Sequence, residues 1–197
     1  MKLHVSDARL RELFTIAQIR DIEEVAIDVD GIPGIQLMLR AAQVILNVLQ
    51  QRFGDVKTIA VLCGKGNNAG DGFMVAKLAQ VQNVTVDVVL CADVDALKGD
   101  AAHAYAELIA SGIKPIPFEH YRLRSIVADV FVDALLGIGL KGAVNGDIAD
   151  VISWLNALHK PVIAIDVPSG LNADNGIAEG ACVQAHCTAT FIGLKRG

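Results

Sequence analysis

The sequence predicts an α/β fold, a three-layer αβα Rossmann-like sandwich built on a mostly parallel, doubly wound sheet with two N-terminal helices in front of it. Three observations predict this fold. Short runs rich in Val, Ile and Leu alternate with amphipathic segments. The runs are apolar throughout, as expected of strands covered by helices on both faces. Glycine-rich turns follow several of them, and the whole of 1–197 is expected to form one domain.

Two helices are expected before the first long strand. Thr15 and Gln18 have the spacing of a capping box, and an apolar stripe follows until Gly31 and Pro33 end the helix. The stripe consists of Ile16, Ile19, Ile22, Val25, Ala26 and Val29. A second helix is expected over 35–53, with Gly54 as its C-terminal stop.

The rest of the chain alternates between strands and helices. We expect strands at 58–63, 84–91, 114–118, 127–135, 161–166 and 189–193, and helices at 72–80, 95–111 and 148–159. Ligands of such sheets bind outside the carboxyl ends of the strands. The segments after the first, fourth and fifth of these strands each carry an aspartate and glycines, so they are the candidate site.

Composition limits the function classes. The net charge is −5 with neither sign clustered, which argues against nucleic acid as a partner. No segment reaches the roughly 18 apolar residues of a membrane span, and the charges in 1–9 interrupt what a signal peptide would need to be apolar. The four cysteines form no C-x-x-C pair, which favours reduced thiols in a cytoplasmic protein.

The segment 64–73 lies between a predicted strand and a predicted helix and has the glycines of a phosphate-binding turn. Gly64, Gly66 and Ala69 also satisfy the dinucleotide fingerprint, and a purely structural turn is a further alternative. Neither alternative needs the amides and the carboxylate that follow, which are Asn67, Asn68 and Asp71. Asp71 would repel a pyrophosphate unless a cation or a donor lay between them.

Two later segments also end in polar groups. Asp133 opens a glycine-spaced loop containing Lys141, although Asp133 could simply satisfy backbone donors and Lys141 could be solvated. Asp166 and Ser169 emerge together after another apolar run. No histidine lies in a motif that would activate a serine nucleophile, so we interpret Ser169 as an oxygen ligand. Oxygen ligation by Asn68, Asp133 and Ser169, with one charge among them, favours a hard cation and is compatible with a monovalent one.

Four ordered motifs resemble the YjeF N-terminal domain family, whose enzymatic members are NAD(P)H-hydrate epimerases. They are the segments 31–38, 66–72, 133–140 and 166–171, and the resemblance covers nearly the whole chain. Leu39, Ala42 and Ile138 depart from the family pattern, outside the ion ligands. Many relatives continue into a dehydratase domain, so we expect that this sequence is an N-terminal piece of a longer chain.

The resemblance implies a function and a set of residues. The substrate would be NADHX or NADPHX, the hydrated forms of NADH and NADPH, whose R and S epimers the enzyme interconverts so that a dehydratase can clear both. Substrate contacts would come from Asn67, Asn68, Ala69, Gly70, Asp71, Gly137, Ile138, Gly139, Leu140, Lys141, Gly142, Ala143 and Asp166. One potassium ion per subunit would be held by Asn68, Asp133 and Ser169. The resemblance also suggests a homodimer.

The expected chemistry needs proton transfer, because the epimeric carbon loses its configuration either by expulsion of the hydroxyl or by ring opening. We hypothesise that Asp166 or Asp133 is the acid/base group, with Lys141 as a further candidate. Two alternatives remain at this stage. Some YjeF-like domains are non-catalytic interaction modules, which tend to lose these polar residues, and an ordinary dehydrogenase would act on undamaged NAD(P)H.

Overall fold

The computed structural model describes residues 12–197, so the charged start of the chain lies outside the described residues. Its centre is a six-stranded sheet in which every pairing is parallel, which confirms the predicted α/β class. A separate two-stranded parallel pair joins β1 (Leu13–Phe14) to the last strand of the chain.

The strands of the central sheet follow the order β4-β3-β2-β5-β6-β7. They are β2 (Thr58–Cys63), β3 (Thr85–Leu90), β4 (Ile116–Pro117), β5 (Val130–Ala134), β6 (Val162–Ile165) and β7 (Cys187–Ala189), followed in the chain by β8 (Leu194–Lys195), the partner of β1. The chain builds outward from β2 in one direction and from β5 in the other. The boundary between β2 and β5 is therefore the point where the winding reverses, which is where such sheets bind ligands.

Helices cover both faces of the sheet. They are α1 (Ile16–Glu24), α2 (Gly34–Phe53), α3 (Asn67–Val81), α4 (Gly99–Ala110), α5 (Phe118–Tyr121) and α6 (Asp147–Ala157). One apolar core joins α2, α3 and α4 to the sheet, and a second joins α5 and α6 to its other face. In β2, Ile59 and Val61 face the first core and Ala60 and Leu62 face the second, so the strand is buried from Ile59 onward.

Several predicted boundaries were wrong. The helix predicted over 72–80 begins already at Asn67, so the amides of the glycine-rich segment belong to its first turn. The strand predicted over 114–118 retains only two residues, and the one predicted over 189–193 is replaced by β7 and β8, which flank it. The helix predicted over 95–111 starts at Gly99, after a short 3₁₀ turn.

The first helix has the capping box predicted at Thr15 and Gln18 and continues as a π-helical turn over Val25–Val29. Its apolar stripe is only partly in the core, contrary to expectation. Ile19 is buried, whereas Ile22, Val25 and Val29 are 41%, 51% and 75% exposed. Among the helices of residues 12–197, none is long and apolar enough to cross a bilayer.

Candidate active site

The carboxyl ends of β2 and β5 are in direct contact. The Gly64 N–H donates to the carbonyl of Ala134 at 3.1 Å. A Cβ atom at Gly64 would lie 2.0 Å from the carbonyl oxygen of Leu135, so only glycine fits there. This close approach places the start of α3 beside the loop that follows β5.

Asp133, near the end of β5, is completely buried. Its Oδ2 accepts a hydrogen bond from the Ser169 N–H at 2.8 Å. Its Oδ1 accepts from the Ser169 hydroxyl at 2.5 Å and from the Leu135 N–H at 3.2 Å. Ser169 is buried too, and its Oγ accepts from the Leu136 N–H at 2.8 Å. The segment after β6 is thereby tied to the end of β5.

Asn68 completes this group from the first turn of α3. Its Nδ2 donates to the Leu136 carbonyl at 2.8 Å, which leaves its Oδ1 without a partner among residues 12–197. A Cβ atom on Gly137 would lie 3.3 Å from the Asn68 Cβ. Three sequence-predicted oxygen ligands, Asn68, Asp133 and Ser169, therefore meet around Leu136.

The electrostatics of this group suit a cation. Burial raises the pKa of Asp133 to about 6, although the hydrogen bonds from Ser169 and Leu135 act in the opposite direction. Within residues 12–197 no Lys or Arg forms an ion pair with Asp133. The same part of the chain has no cluster of three or more His, Cys, Asp or Glu residues suited to a metal. The group offers carboxylate, amide, hydroxyl and backbone carbonyl oxygens and no thiolate or imidazole, a set of donors that suits a hard cation better than zinc.

The start of α3 provides a second binding element. Asn67 is exposed, whereas Ala69 and Gly70 are buried, and the N–H groups of Ala69 and Gly70 already donate to the Gly66 carbonyl at 2.9 and 3.3 Å. The N–H groups left for a ligand are therefore those of Asn67 and Asn68. The first N–H groups of a helix lack intrahelical acceptors and carry the positive end of the dipole. The predicted phosphate-binding turn therefore leads directly into the first turn of α3, a helix of fifteen residues. The N-terminus of this helix lies at the sheet's ligand-binding edge.

The loop over 137–143 borders this helix N-terminus. Gly137, Ile138 and Leu140 are partly buried, and the rest of the loop, including Lys141, is exposed. A Cβ atom on Gly139 would lie 3.7 Å from Nη2 of Arg20, so α1 passes close to this loop. The N-terminal helix thus borders the edge of the sheet where the polar residues collect.

Asp166, directly after β6, has a backbone φ of 65°, which is uncommon for a residue with a side chain. Its Oδ1 accepts hydrogen bonds from Lys195 Nζ, from Thr190 Oγ1 at 3.1 Å and from the Phe191 N–H at 3.1 Å. No group in residues 12–197 donates to its Oδ2. The Asp166 side chain is 16% exposed, so this carboxylate reaches solvent where that of Asp133 does not.

Sequence reasoning missed two residues of this cluster. Lys195, on β8, forms a buried ion pair with Asp166, and nothing in its local sequence distinguishes it. Glu23, on α1, is partly buried, and its pKa is raised by burial, then by the negative charges of Asp166 and Asp100. Arg20 and Lys195 oppose that shift. Only the fold brings these three segments together.

Asp71 belongs to the same cluster. Burial, followed by the charges of Asp166 and Glu23, raises its pKa well above the usual range for a carboxyl. A carboxyl group held neutral does not repel a phosphate and can donate a hydrogen bond to one. Burial, and then the neighbouring carboxylates, thus favour the uncharged form of Asp71 and reduce the repulsion expected from the sequence.

Comparison with known protein families gives a match over residues 34–197 to the family described as YjeF-related protein N-terminus. The chain is 40% identical to the bifunctional NAD(P)H-hydrate repair enzyme Nnr of Coxiella burnetii, over 94% of this chain and 37% of that protein. It is 34% identical to the NAD(P)H-hydrate epimerase of Limosilactobacillus fermentum, over 94% of this chain and 88% of that protein.

Among solved structures, the yeast protein ynu0 (YNL200c) superposes with a TM-score of 0.80. The match covers 94% of this chain and 82% of the yeast chain at 18% sequence identity. At that identity the similarity establishes the fold alone.

Proposed function

This chain belongs to the YjeF-related N-terminal family, and from that premise we propose that it is an isomerase that interconverts the R and S epimers of NADHX and NADPHX. Two relatives support the proposal in different ways. The chain spans about a third of the bifunctional Coxiella enzyme, at 37% of its length. It spans most of the Limosilactobacillus epimerase, at 88%, so the aligned part corresponds to the protein named for epimerisation.

The single observation that carries the proposal is the environment of Asp166. Its side chain reaches solvent at the carboxyl edge of the sheet, its backbone is held in an uncommon conformation, and one carboxylate oxygen is left without a donor in residues 12–197. Such strain is tolerated mainly at functional sites. We assign Asp166 the acid/base role.

Of the other two acid/base candidates, Asp133 is less suited to the role. Three protein hydrogen bonds engage its two oxygens, and it is fully buried, so a substrate atom has no access to it. Lys141 is exposed on a loop, and we retain it as a substrate-binding candidate. The proposed substrate contacts remain the start of α3 over 67–71, the loop over 137–143, and Asp166.

We further propose that Asn68, Asp133 and Ser169 hold one potassium ion per subunit. The buried charge of Asp133 and the free Oδ1 of Asn68 support this assignment. Bound there, the ion would neutralise the carboxylate and stabilise the junction between the ends of β5 and β6. The reaction itself is assigned to this chain's own residues around Asp166.

The proposed biological partner is an NAD(P)HX dehydratase, as a separate protein or as a fused domain. Two bifunctional repair enzymes, from Coxiella burnetii and Escherichia coli, are relatives at 40% and 37% identity. A homodimer is also proposed, and the exposed apolar side chains of Ile22, Val25 and Val29 support it. They recur along one side of the first helix, where a partner would shield them from water.

The function can be tested with separated NADHX epimers. Wild-type protein should equilibrate them, as followed by chromatography, whereas Asp166→Asn should slow this by about 10²–10⁴-fold, the usual contribution of an acid/base group. Asp93→Asn is a matched control, because this exposed aspartate after β3 caps a 3₁₀ turn, and the amide retains an acceptor oxygen. Unchanged epimerisation in Asp166→Asn would remove that residue from the mechanism. Oxidation or reduction of undamaged NAD(P)H would instead indicate a dehydrogenase.

A further inference from the structure

Lys195 and Asp166 form a pair whose hydrogen bonds are unevenly distributed. All three donors to Asp166, from Lys195, Thr190 and Phe191, meet its Oδ1. None of the described residues donates to Oδ2. One oxygen of the carboxylate is therefore fixed by the protein, and the other is left for the substrate.

The donors of Lys195 are fully used. An ammonium group has three hydrogens. Lys195 Nζ donates to Asp166 Oδ1, to Thr190 Oγ1 at 2.8 Å and to the Phe191 carbonyl at 2.9 Å. Its side chain is only 4% exposed, so it cannot reach out to a ligand. Lys195 acts on Asp166 and not on the substrate.

The other charged groups around Asp166 make that positive charge necessary. Glu23 of α1 and Asp71 of α3 face Asp166, and both have raised pKa values because of burial and of the Asp166 charge. The Lys195 ammonium, which donates to Oδ1 of Asp166, supplies the positive charge that offsets this repulsion.

We propose that Lys195 is a positioning residue that holds Asp166 as a carboxylate base, and that epimerisation consequently proceeds by ring opening with retention of the hydroxyl oxygen. This inference rests on the proposed function. A base suits ring opening, because that route begins by taking a proton from the hydroxyl. Expulsion of the hydroxyl as water would instead need Asp166 to begin as an acid.

The proposed step is balanced without a further reagent. Oδ2 of Asp166 takes the hydroxyl proton, the carbon–oxygen bond becomes a carbonyl, and the carbon–nitrogen bond breaks with its electron pair going to the ring nitrogen. The nitrogen then takes the proton from Oδ2, which restores the carboxylate. Rotation of the aldehyde and attack by the nitrogen on its other face reverse these transfers and give the other epimer.

The first experiment uses wild-type protein and one NADHX epimer in water enriched in oxygen-18. Mass spectrometry of the newly formed epimer should find label at the level of an enzyme-free control, because the oxygen never leaves the substrate. Incorporation above that control would overturn the ring-opening route. A protein that does not accelerate epimerisation at all would instead contradict the proposed function, so the two failures are distinguishable.

The second experiment compares pH profiles of kcat/KM for Lys195→Met and Thr190→Val. Loss of the ammonium should move the acidic limb of the profile to higher pH by about one to three units, the effect of removing a neighbouring opposite charge. Thr190→Val removes a hydrogen bond to the same oxygen and one acceptor of Lys195, but it keeps the ammonium charge, so its acidic limb should stay in place. The role of Lys195 would be overturned if the acidic limbs of the two variants lay at the same pH while thermal melts showed that both proteins were folded. If Lys195→Met does not fold, the oxygen-18 result still decides the ring-opening route, and Lys195→Gln takes its place in the comparison of pH profiles.

Discussion

The buried carboxylate of Asp133 allows a quantitative prediction that links stability, pH and potassium. Burial raises the pKa of this group from its ordinary value of 3.8 to about 6. At about 1.36 kcal/mol per unit, the folded state favours the protonated carboxyl by about 3 kcal/mol. Without potassium, this contribution to the free energy of unfolding is fully present below pH 4 and is lost as pH rises to about 6.

Potassium is expected to reverse this trend, because an ion held by Asn68, Asp133 and Ser169 as proposed would favour the charged carboxylate. The stabilisation by potassium should therefore be small near pH 4 and reach its full value above pH 6. Urea denaturation from pH 4 to 7.5, in potassium chloride or in choline chloride of equal ionic strength, measures both effects. Protein in choline should lose up to about 3 kcal/mol more over this range than protein in potassium.

Asp133→Asn is the control, because it has a similar shape and cannot titrate. Its absolute stability will fall, since the amide nitrogen must face the N–H groups of Ser169 or Leu135, but its pH slope is the informative quantity. The difference between the two salts should disappear in this variant. The reasoning would be refuted if Asp133→Asn and wild type had the same pH slope in choline, or if potassium stabilised both equally.

Two further predictions concern packing and assembly. Gly64→Ala should destabilise the protein by more than about 2 kcal/mol, because the new Cβ would lie 2.0 Å from the Leu135 carbonyl oxygen and push apart the ends of β2 and β5. Gly66→Ala has nothing within 4 Å of the new Cβ but lies at the N-cap of α3, where alanine is less favourable than glycine, so it should cost no more than about 1 kcal/mol in the same urea titration; equal losses would contradict the steric argument. Val29→Asp should convert the proposed dimer to monomer in analytical ultracentrifugation, because it places a charge in the exposed stripe of the first helix. Val81→Asp, at a position 73% exposed compared with 75% for Val29, should leave the sedimentation unchanged, and a dimer in both variants would exclude this stripe from the interface.

The fold class could be predicted because the strands are buried on both faces and therefore apolar throughout. The start of α3 could not, because local propensity and tertiary packing conflict there. Gly70 and Gly72 disfavour a helix in isolation. In the fold, a Cβ at Gly70 would lie 2.8 Å from Met38 Sδ, and one at Gly72 would lie 2.6 Å from the Ala134 Cβ. The glycines thus let the helix lie close to α2 and the sheet, and that contact extends it back to Asn67.

The candidate site also contains residues that the sequence could predict and residues that it could not. Asp133, Asp166 and Ser169 could be predicted because each comes just after, or at the end of, an apolar strand, and parallel strands end at one edge. Lys195 and Glu23 could not. Their positions depend on the parallel pairing of β1 with β8 and on the path of α1, which involve contacts between distant ends of the chain. Single charged residues on a short strand and on a helix carry no local signal of such contacts.

The two strand-end aspartates are balanced in different ways, and the difference bears on their roles. Asp166 forms an ion pair with Lys195, a residue of the same chain whose ammonium is fixed by three hydrogen bonds, so its counter-charge is supplied by the fold. Asp133 has no such partner in residues 12–197, so its charge depends on pH and on an ion that can exchange. A base that turns over in every cycle needs a constant environment, whereas a junction that joins the ends of β5 and β6 can rely on an exchangeable ion. On this reasoning the proposed potassium ion would affect the architecture of the binding edge, and Lys195 would affect the proposed proton transfer.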